Sequence, residues 1–167
     1  MIRASLLFVA LTLVVTGCSK KEEGGGAAGK PAAGKAAAAP AGPTKLPVVG
    51  LVIEVPGQVT IDKAIIGTGD MLMGEGVGAM QVEIVETPQT LDEAKSDAEM
   101  FSPKNLNAET LPDGWALTFE NKGSMGANYF VDVRREIDGK VYKCHTTGAV
   151  KAQADAVLAA CKTLKKG

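Results

Sequence analysis

Histidine is almost absent from this sequence, because His145 is the only one in 167 residues. A single histidine excludes the metal sites that need several imidazole ligands. A Ser-His-Asp arrangement would have to combine it with Ser96, Ser102 or Ser124, and none of these serines stands in a G-x-S-x-G sequence. We therefore predict a protein that is not an enzyme, with no catalytic residue, no metal ligand and no cofactor.

A surplus of basic residues is also missing from most of the chain. Six of the 18 basic and two of the 19 acidic residues lie in residues 1–45, which leaves twelve basic and seventeen acidic residues in 46–167. That segment therefore has a net charge of −5. Nucleic-acid binding requires a basic surface, so nucleic acid is excluded as the expected partner.

The apolar run at the N-terminus is too short to cross a membrane. It spans the 13 residues 4–16 and follows Arg3, whereas a transmembrane helix needs about 20 apolar residues to cross roughly 30 Å of hydrocarbon. A short apolar run after a positive charge is typical of a secretory signal peptide. We predict that residues 1–17 are a signal peptide.

The segment Val15-Thr16-Gly17-Cys18 resembles the lipobox of bacterial lipoproteins. The resemblance implies that Cys18 carries a diacylglycerol thioether, that the signal peptide is cut before it, and that its new amino group is acylated, for example with palmitate. Two or three acyl chains on one residue hold a protein on the bilayer permanently. The alternative is an ordinary signal peptide with an incidental cysteine. In such lipoproteins an aspartate directly after the lipidated cysteine implies retention in the inner membrane. This chain has Ser19 at that position, which implies the outer membrane.

A segment of small residues separates Cys18 from the rest of the chain. Residues 24–43 consist only of Gly, Ala, Pro and Lys, and nothing among them offsets the entropy lost on ordering a backbone. We predict that residues 18–45 are the lipidated cysteine and a disordered linker. A passive spacer is the simplest interpretation, and binding to peptidoglycan or anionic lipid through its lysines is the alternative.

Residues 46–167 are predicted to form a single α+β domain, with an antiparallel sheet of about five to six strands packed by two helices. Alternating apolar residues and turn signals indicate the strands. Residues 64–67 extend a strand or begin a loop, and the glycine-rich residues 67–78 form a loop or a bulged hairpin. Asp138-Gly139 is a typical two-residue hairpin turn. The predicted strands are 47–55, 58–62, 81–85, 115–120, 127–137 and 140–147.

Both helices have local signals. Thr90-x-x-Glu93 has the form of a capping box, which predicts a helix from there to about Met100, before Ser102-Pro103. Apolar residues at helical spacing predict the C-terminal helix between about Val150 and Lys165. The segments LPDGWALTF, DGKVYKC and VLAACKTL are similar to those of PsbP-like proteins, which are small α+β accessory domains of larger assemblies. That resemblance implies a topology and no catalytic residues.

Two cysteines, Cys144 and Cys161, remain beside Cys18. A secreted chain reaches an oxidising compartment, where such a pair normally forms a bridge. Cys161 lies on the apolar face of the final helix, which has to pack on the sheet that contains Cys144. We therefore predict a structural disulfide; a redox-active pair and two free thiols are the alternatives, and there is no C-x-x-C sequence.

The remaining candidates for chemistry each have a simpler interpretation. Three methionines near the glycine-rich segment, Met71, Met73 and Met80, offer soft ligands for Cu(I), but methionine also packs cores. Glycines 74, 76 and 78 lack the spacing of a phosphate-binding loop. The acidic residues between Glu83 and Glu99 are expected to form a solvated face. Trp115 is expected in the core and would indicate a contact surface if it were exposed.

These observations together predict a membrane-anchored lipoprotein of the bacterial envelope. It is expected in the outer membrane, with its domain in the periplasm or at the cell surface. We predict that it binds the bilayer through acylated Cys18 and acts without catalysis, as an accessory or protein-interaction module with an envelope protein as partner. The alternative is a periplasmic module that binds a small ligand or copper.

Overall fold

The computed structural model describes residues 41–124 and 126–167. The predictions for the signal peptide, for Cys18 and for linker residues 18–40 lie outside these residues. The described chain contains ten strands and two helices: β1 Ala41–Leu46, β2 Leu51–Pro56, β3 Thr60–Lys63, β4 Gly69–Gly74, β5 Gly78–Ile84, α1 Leu91–Glu99, β6 Lys104–Leu111, β7 Gly114–Gly123, β8 Gly126–Ile137, β9 Lys140–Gly148, α2 Lys151–Lys162 and β10 Lys165–Lys166.

The domain is α+β, as predicted, but the expected five to six strands are too few. A seven-stranded sheet has the order β3-β4-β5-β9-β8-β7-β6, and a second sheet has the order β1-β2-β10. The strands pair antiparallel throughout. Short loops between successive strands favour this arrangement, because hairpins join antiparallel neighbours.

Two strands that the sequence did not indicate, β1 and β6, are defined mainly by their pairing with a neighbouring strand. β1 begins at Ala41, inside the segment predicted as linker, and pairs with β2 along its whole length. β6 is an exposed edge strand that takes its hydrogen bonds from β7. Backbone pairing requires only the neighbouring strand, so such segments carry little signal in their own side chains.

A buried carboxylate shapes the connection between β1 and β2. Asp70 of β4 is fully buried, and its two oxygens accept hydrogen bonds from the backbone N–H of Val48 at 3.1 Å and of Val49 at 3.0 Å. Residues 47–50 therefore form a turn, where the sequence predicted the start of a strand.

The capping box predicted for α1 is present. The side chain of Thr90 accepts from the backbone N–H of Glu93, and Oε2 of Glu93 accepts from the backbone N–H of Thr90 at 2.8 Å. That last bond lowers the pKa of the Glu93 carboxyl. The C-terminal helix is also present, although it ends at Lys162, because residues 165–166 pair with β2.

The strand register separates the seven-stranded sheet into two faces. Val82, Cys144, Val133 and Ala116 stand opposite one another on one face, which we call the packed face. The next row, on the opposite face, consists of Glu83, Lys143, Arg134 and Trp115. We call this side the α1 face, because α1 packs on its β7 end through Ala94 and Ala98.

The main hydrophobic core lies on the packed face. It is shared by the three-stranded sheet, the seven-stranded sheet and α2, with Ile53, Val133 and Val157 fully buried. The predicted disulfide is present: Cys144 of β9 and Cys161 of α2 are bonded, with their Cα atoms 5.7 Å apart. It joins the helix to the sheet within this core.

The turn between β8 and β9 also follows the prediction. Asp138 and Gly139 have φ values of 52° and 70°, which is the left-handed conformation that a two-residue hairpin of this kind needs. The turn sets the pairing of β8 with β9, and thereby which of their side chains stand side by side on each face of the sheet.

Candidate functional site

Five polar residues form a cluster at the centre of the α1 face, which we call the charged floor: Glu83, Asp132, Arg134, Lys143 and His145. The register places them in two adjacent rows on three strands, β5, β9 and β8. Nζ of Lys143 lies 3.9 Å from Oε1 of Glu83 and 4.0 Å from Oδ2 of Asp132. Nη2 of Arg134 lies 3.5 Å from the same Oδ2. The cluster thus contains two acids, two bases and one histidine.

His145 belongs to this cluster and not to the exposed surface. Its side chain is 31% exposed, and Nε2 lies 3.5 Å from Oε1 of Glu83 without forming a hydrogen bond. Burial, together with the charges of Lys143 and Arg134, lowers the pKa of His145 to about 4. The imidazole is therefore neutral at pH 7, so its proximity to Glu83 is not an ion pair.

Arg134 is the most deeply buried cation of the charged floor, with 8% of its side chain exposed. Its guanidinium carbon lies 5.4 Å from the centre of the Trp115 ring, and Nη2 donates to Oε1 of Gln89 at 3.3 Å. Nε and Nη1 have no hydrogen-bond partner among the described residues. Burial lowers the pKa of Arg134, against the opposing effect of Asp132.

Asp132 has a buried acceptor without a partner, as Arg134 has buried donors without one. Oδ2 faces Arg134 and Lys143, whereas Oδ1 is buried and accepts no hydrogen bond from the described residues. Burial raises the pKa of the Asp132 carboxyl, and the charge of Arg134 partly offsets this. A buried polar atom without a partner is uncommon in folded proteins, because it costs desolvation free energy.

A cavity of about 280 Å³ lies between the charged floor and α1. One side of it consists of Phe101, Phe119 and Phe130. The rings of Phe119 and Phe130 are stacked with centroids 4.4 Å apart, and Phe101 lies 5.5 Å from Phe130. The cavity therefore joins an aromatic side to a charged end.

The loop between β3 and β4 borders the other side of the charged floor. Nε2 of Gln81 donates to the carbonyl of Ile66 at 3.2 Å, and Gly67 lies against the Glu83 carboxylate, where a Cβ would come within 2.8 Å of Oε2. Both contacts are to side chains of the α1 face. The loop therefore lies on that face, with Ile65 and Ile66 exposed by 89% and 80%.

The methionines proposed as copper ligands do not converge. Met80 pairs with Leu72 on the packed face and is buried, whereas Met71 and Met73 stand on the α1 face. The glycine-rich segment is a hairpin: β4 ends at Gly74 and β5 begins at Gly78. The geometry gives no support to a site that would use all three methionines.

The structure also shows where Trp115, the three serines and the possible metal ligands lie. Trp115 is buried, and its Nε1 donates to the carbonyl of Gln89 at 3.2 Å. None of the three serines of the predicted domain lines the cavity that His145 lines. Within residues 41–124 and 126–167, no group of three His, Cys, Asp or Glu side chains is arranged to hold a metal. No helix in the described part of the chain is long and apolar enough to span a membrane.

The charged floor was missed because each of its members looks ordinary in the sequence. Glu83 was expected on a solvated acidic face, yet its side chain is only 19% exposed. A usable signal exists at Asp132, Arg134, Lys143 and His145, which are charged or polar residues on the outward-facing positions of two strands joined by a tight turn. Adjacent strands bring such positions together, but only the register shows that they meet.

Comparison with known proteins identifies no family for this chain. No protein-family model matches the sequence, and no curated protein matches it significantly.

Proposed function

We propose that this chain is a membrane-anchored lipoprotein of the bacterial envelope whose domain acts by contact with an envelope protein through the α1 face. Cys18 would be the anchor, acylated at the lipobox-like sequence Val15-Thr16-Gly17-Cys18. The outer membrane is the proposed location because of Ser19, with the domain in the periplasm or at the cell surface. No catalysis is included in the proposal.

The position of the exposed apolar side chains carries the proposed contact. Seven large apolar residues are exposed in the described part of the chain. Five of them, which we call the apolar rim, belong to the α1 face or to the segments that lie on it: Ile65 and Ile66 in the loop between β3 and β4, Met73 in β4, and Met100 and Phe101 at the end of α1. Exposed apolar residues that collect around one surface favour a protein contact, whereas isolated ones are unremarkable.

Residue chemistry also supports a specific contact. Apolar and aromatic residues supply most of the binding free energy of an interface, and complementary charges fix the register of the partner. The apolar rim and the charged floor together have this composition. On the packed face the equivalent positions are already covered by α2 and the three-stranded sheet.

Site-specific photocrosslinking in the native envelope tests the contact. A photoreactive residue at position 66 should form one discrete adduct. The same residue at Val150, which is 49% exposed at the start of α2, should not. Adducts of equal yield from both positions would contradict the α1 face as the contact surface.

The anchor has a separate test. The full-length protein should partition into the detergent phase of a two-phase extraction, and the Cys18→Ser variant should move to the aqueous phase, because each buried methylene contributes about 0.8 kcal/mol to membrane binding. If both proteins were found in the aqueous phase, the anchor would be disproved while the contact surface would still stand.

The alternative function is a module that binds copper or another small ligand, and the geometry bears differently on these two possibilities. Met80 lies on the opposite face of the sheet from Met71 and Met73, so the three methionines give no support to a copper site. The cavity beside Arg134 is a specific feature that favours a small organic ligand.

A further inference from the structure

The cavity beside α1 combines three kinds of surface within one small volume. It measures about 280 Å³, near the lower limit for ligand sites. Phe101, Phe119 and Phe130 form its aromatic side, and Asp132 and Arg134 lie at its charged end. This inference rests on the cavity alone and not on the proposed protein contact.

The charged end offers donors and an acceptor that the described residues leave unused. Nε and Nη1 of Arg134 are buried donors, and Oδ1 of Asp132 is a buried acceptor. The two side chains are close, because Nη2 of Arg134 and Oδ2 of Asp132 are 3.5 Å apart. A ligand that satisfied both would need an acceptor and a donor attached to nearby atoms.

The charge balance restricts the ligand further. The charged residues that line the cavity are two acids, Asp97 and Asp132, and two bases, Lys143 and Arg134, and His145 is neutral at pH 7 because its pKa is about 4. An ion with net charge would disturb this balance in a partly buried site, where charge is poorly solvated. A zwitterion brings a carboxylate and an ammonium group with no net charge.

We infer that this cavity binds a free α-amino acid with an apolar, preferably aromatic, side chain. Its carboxylate accepts from Nε or Nη1 of Arg134, its ammonium group donates to Oδ1 of Asp132, and its side chain packs on the three phenylalanines. Both charged groups of an α-amino acid are attached to one carbon, which suits the short separation of Arg134 and Asp132. A residue inside a peptide lacks both charges and would not satisfy the site.

A fluorescence titration tests this directly. Trp115 is the only tryptophan of the chain and lies against the Arg134 guanidinium, so its emission should change when a ligand reaches Arg134. The full-length protein is titrated with L-phenylalanine, with phenylalaninamide, which lacks the carboxylate, and with 3-phenylpropionate, which lacks the ammonium group. We expect L-phenylalanine to bind at least about tenfold more tightly than either analogue, since each leaves a buried polar group unpaired.

Variants locate the site. Phe101→Ala should weaken L-phenylalanine binding about tenfold or more and leave the circular dichroism spectrum unchanged, because Phe101 is half exposed. Val150→Ala is the matched control: Val150 is about as exposed as Phe101, does not line the cavity and should leave L-phenylalanine binding like that of the wild type. Arg134→Gln should abolish binding; if this variant does not fold, the two analogues and Phe101→Ala still decide the matter.

Two results would overturn the inference. One is the absence of any L-phenylalanine binding at millimolar concentration, and the other is equal affinity for L-phenylalanine and its two analogues. Neither result bears on the crosslinking experiment at position 66, so the failure of the ligand site and the failure of the protein contact are distinguishable.

Discussion

The two faces of the seven-stranded sheet differ in the elements that cover them. On the packed face the apolar row of Val82, Cys144 and Val133 is covered by α2 and the three-stranded sheet, and a disulfide joins the layers. On the α1 face the neighbouring row is Glu83, Lys143 and Arg134, and α1 packs mainly at the β7 end. The comparison assigns most of the hydrophobic core to one side of the sheet and leaves the other side for the contact that we propose.

The largest expected effect is in the core that covers the packed face. Ile53 is fully buried, and Ile53→Ala should lower the free energy of unfolding by about 2–5 kcal/mol, because it removes apolar burial and leaves a cavity. Phe101→Ala on the α1 face, where the side chain is half exposed, should cost about 1 kcal/mol. Urea denaturation of both variants measures the difference. Equal losses would mean that the two faces contribute alike to stability.

Loss of the disulfide should have the next largest effect. Cys144 and Cys161 are 17 residues apart in the sequence, and a loop of this length is worth about 3 kcal/mol in the chain-entropy model. The Cys144→Ala/Cys161→Ala double variant should show that loss in urea denaturation, and the reduced wild type should match it. A double variant as stable as the oxidised protein would show that core packing alone holds α2 on the sheet.

Acid should act on the α1 face through His145. Its pKa is about 4 in the folded protein against about 6.5 in the unfolded chain. Its contribution to stability is therefore complete above pH 6.5 and decreases as the pH falls toward 4. Between pH 6.5 and pH 5 the loss is on the order of 2 kcal/mol.

Replacement of the histidine isolates this effect from other titrating groups. His145→Gln should flatten the dependence of unfolding free energy on pH between 6.5 and 5. Asp132 changes the free energy of unfolding in the opposite sense. Its pKa is raised, so its ionisation destabilises the folded state as the pH rises from about 3.8. Glu83, Lys143 and Arg134 also face the histidine. An unchanged profile in the variant would exclude His145 as the source.

The smallest expected effect concerns the start of α1. Thr90→Ala removes a cap whose side chain accepts from the N–H of Glu93 and should cost about 1 kcal/mol. Ser96→Ala is the control, since Ser96 is exposed in the same helix. Chemical denaturation compares the two. Alanine is the better helix former, so Ser96→Ala should not destabilise the helix, and a loss as large as that for Thr90→Ala would show that the cap is not the source.

The local features of the fold were predictable, because each depends on residues that are close in the sequence. The capping box at Thr90 and Glu93, the turn at Asp138-Gly139 and the apolar face of α2 all belong to this group. The disulfide was predictable from a weaker premise, that an apolar helix face has to pack on the sheet. The edge strand β6 was missed because every residue but its last is exposed, which removes the alternation that indicates a strand.

The sequence by itself determined the class of the domain, the two helices, the tight turn and the pairing of Cys144 with Cys161, since these follow from composition and spacing. Only the tertiary structure decided that Asp70 is buried against the turn of residues 47–50 and that Glu83, Asp132 and Arg134 meet on one face. The physical reason is register: hydrogen-bonded strands bring together side chains that are far apart in the sequence. A shift of one residue would have moved each strand's charged residues to the opposite face.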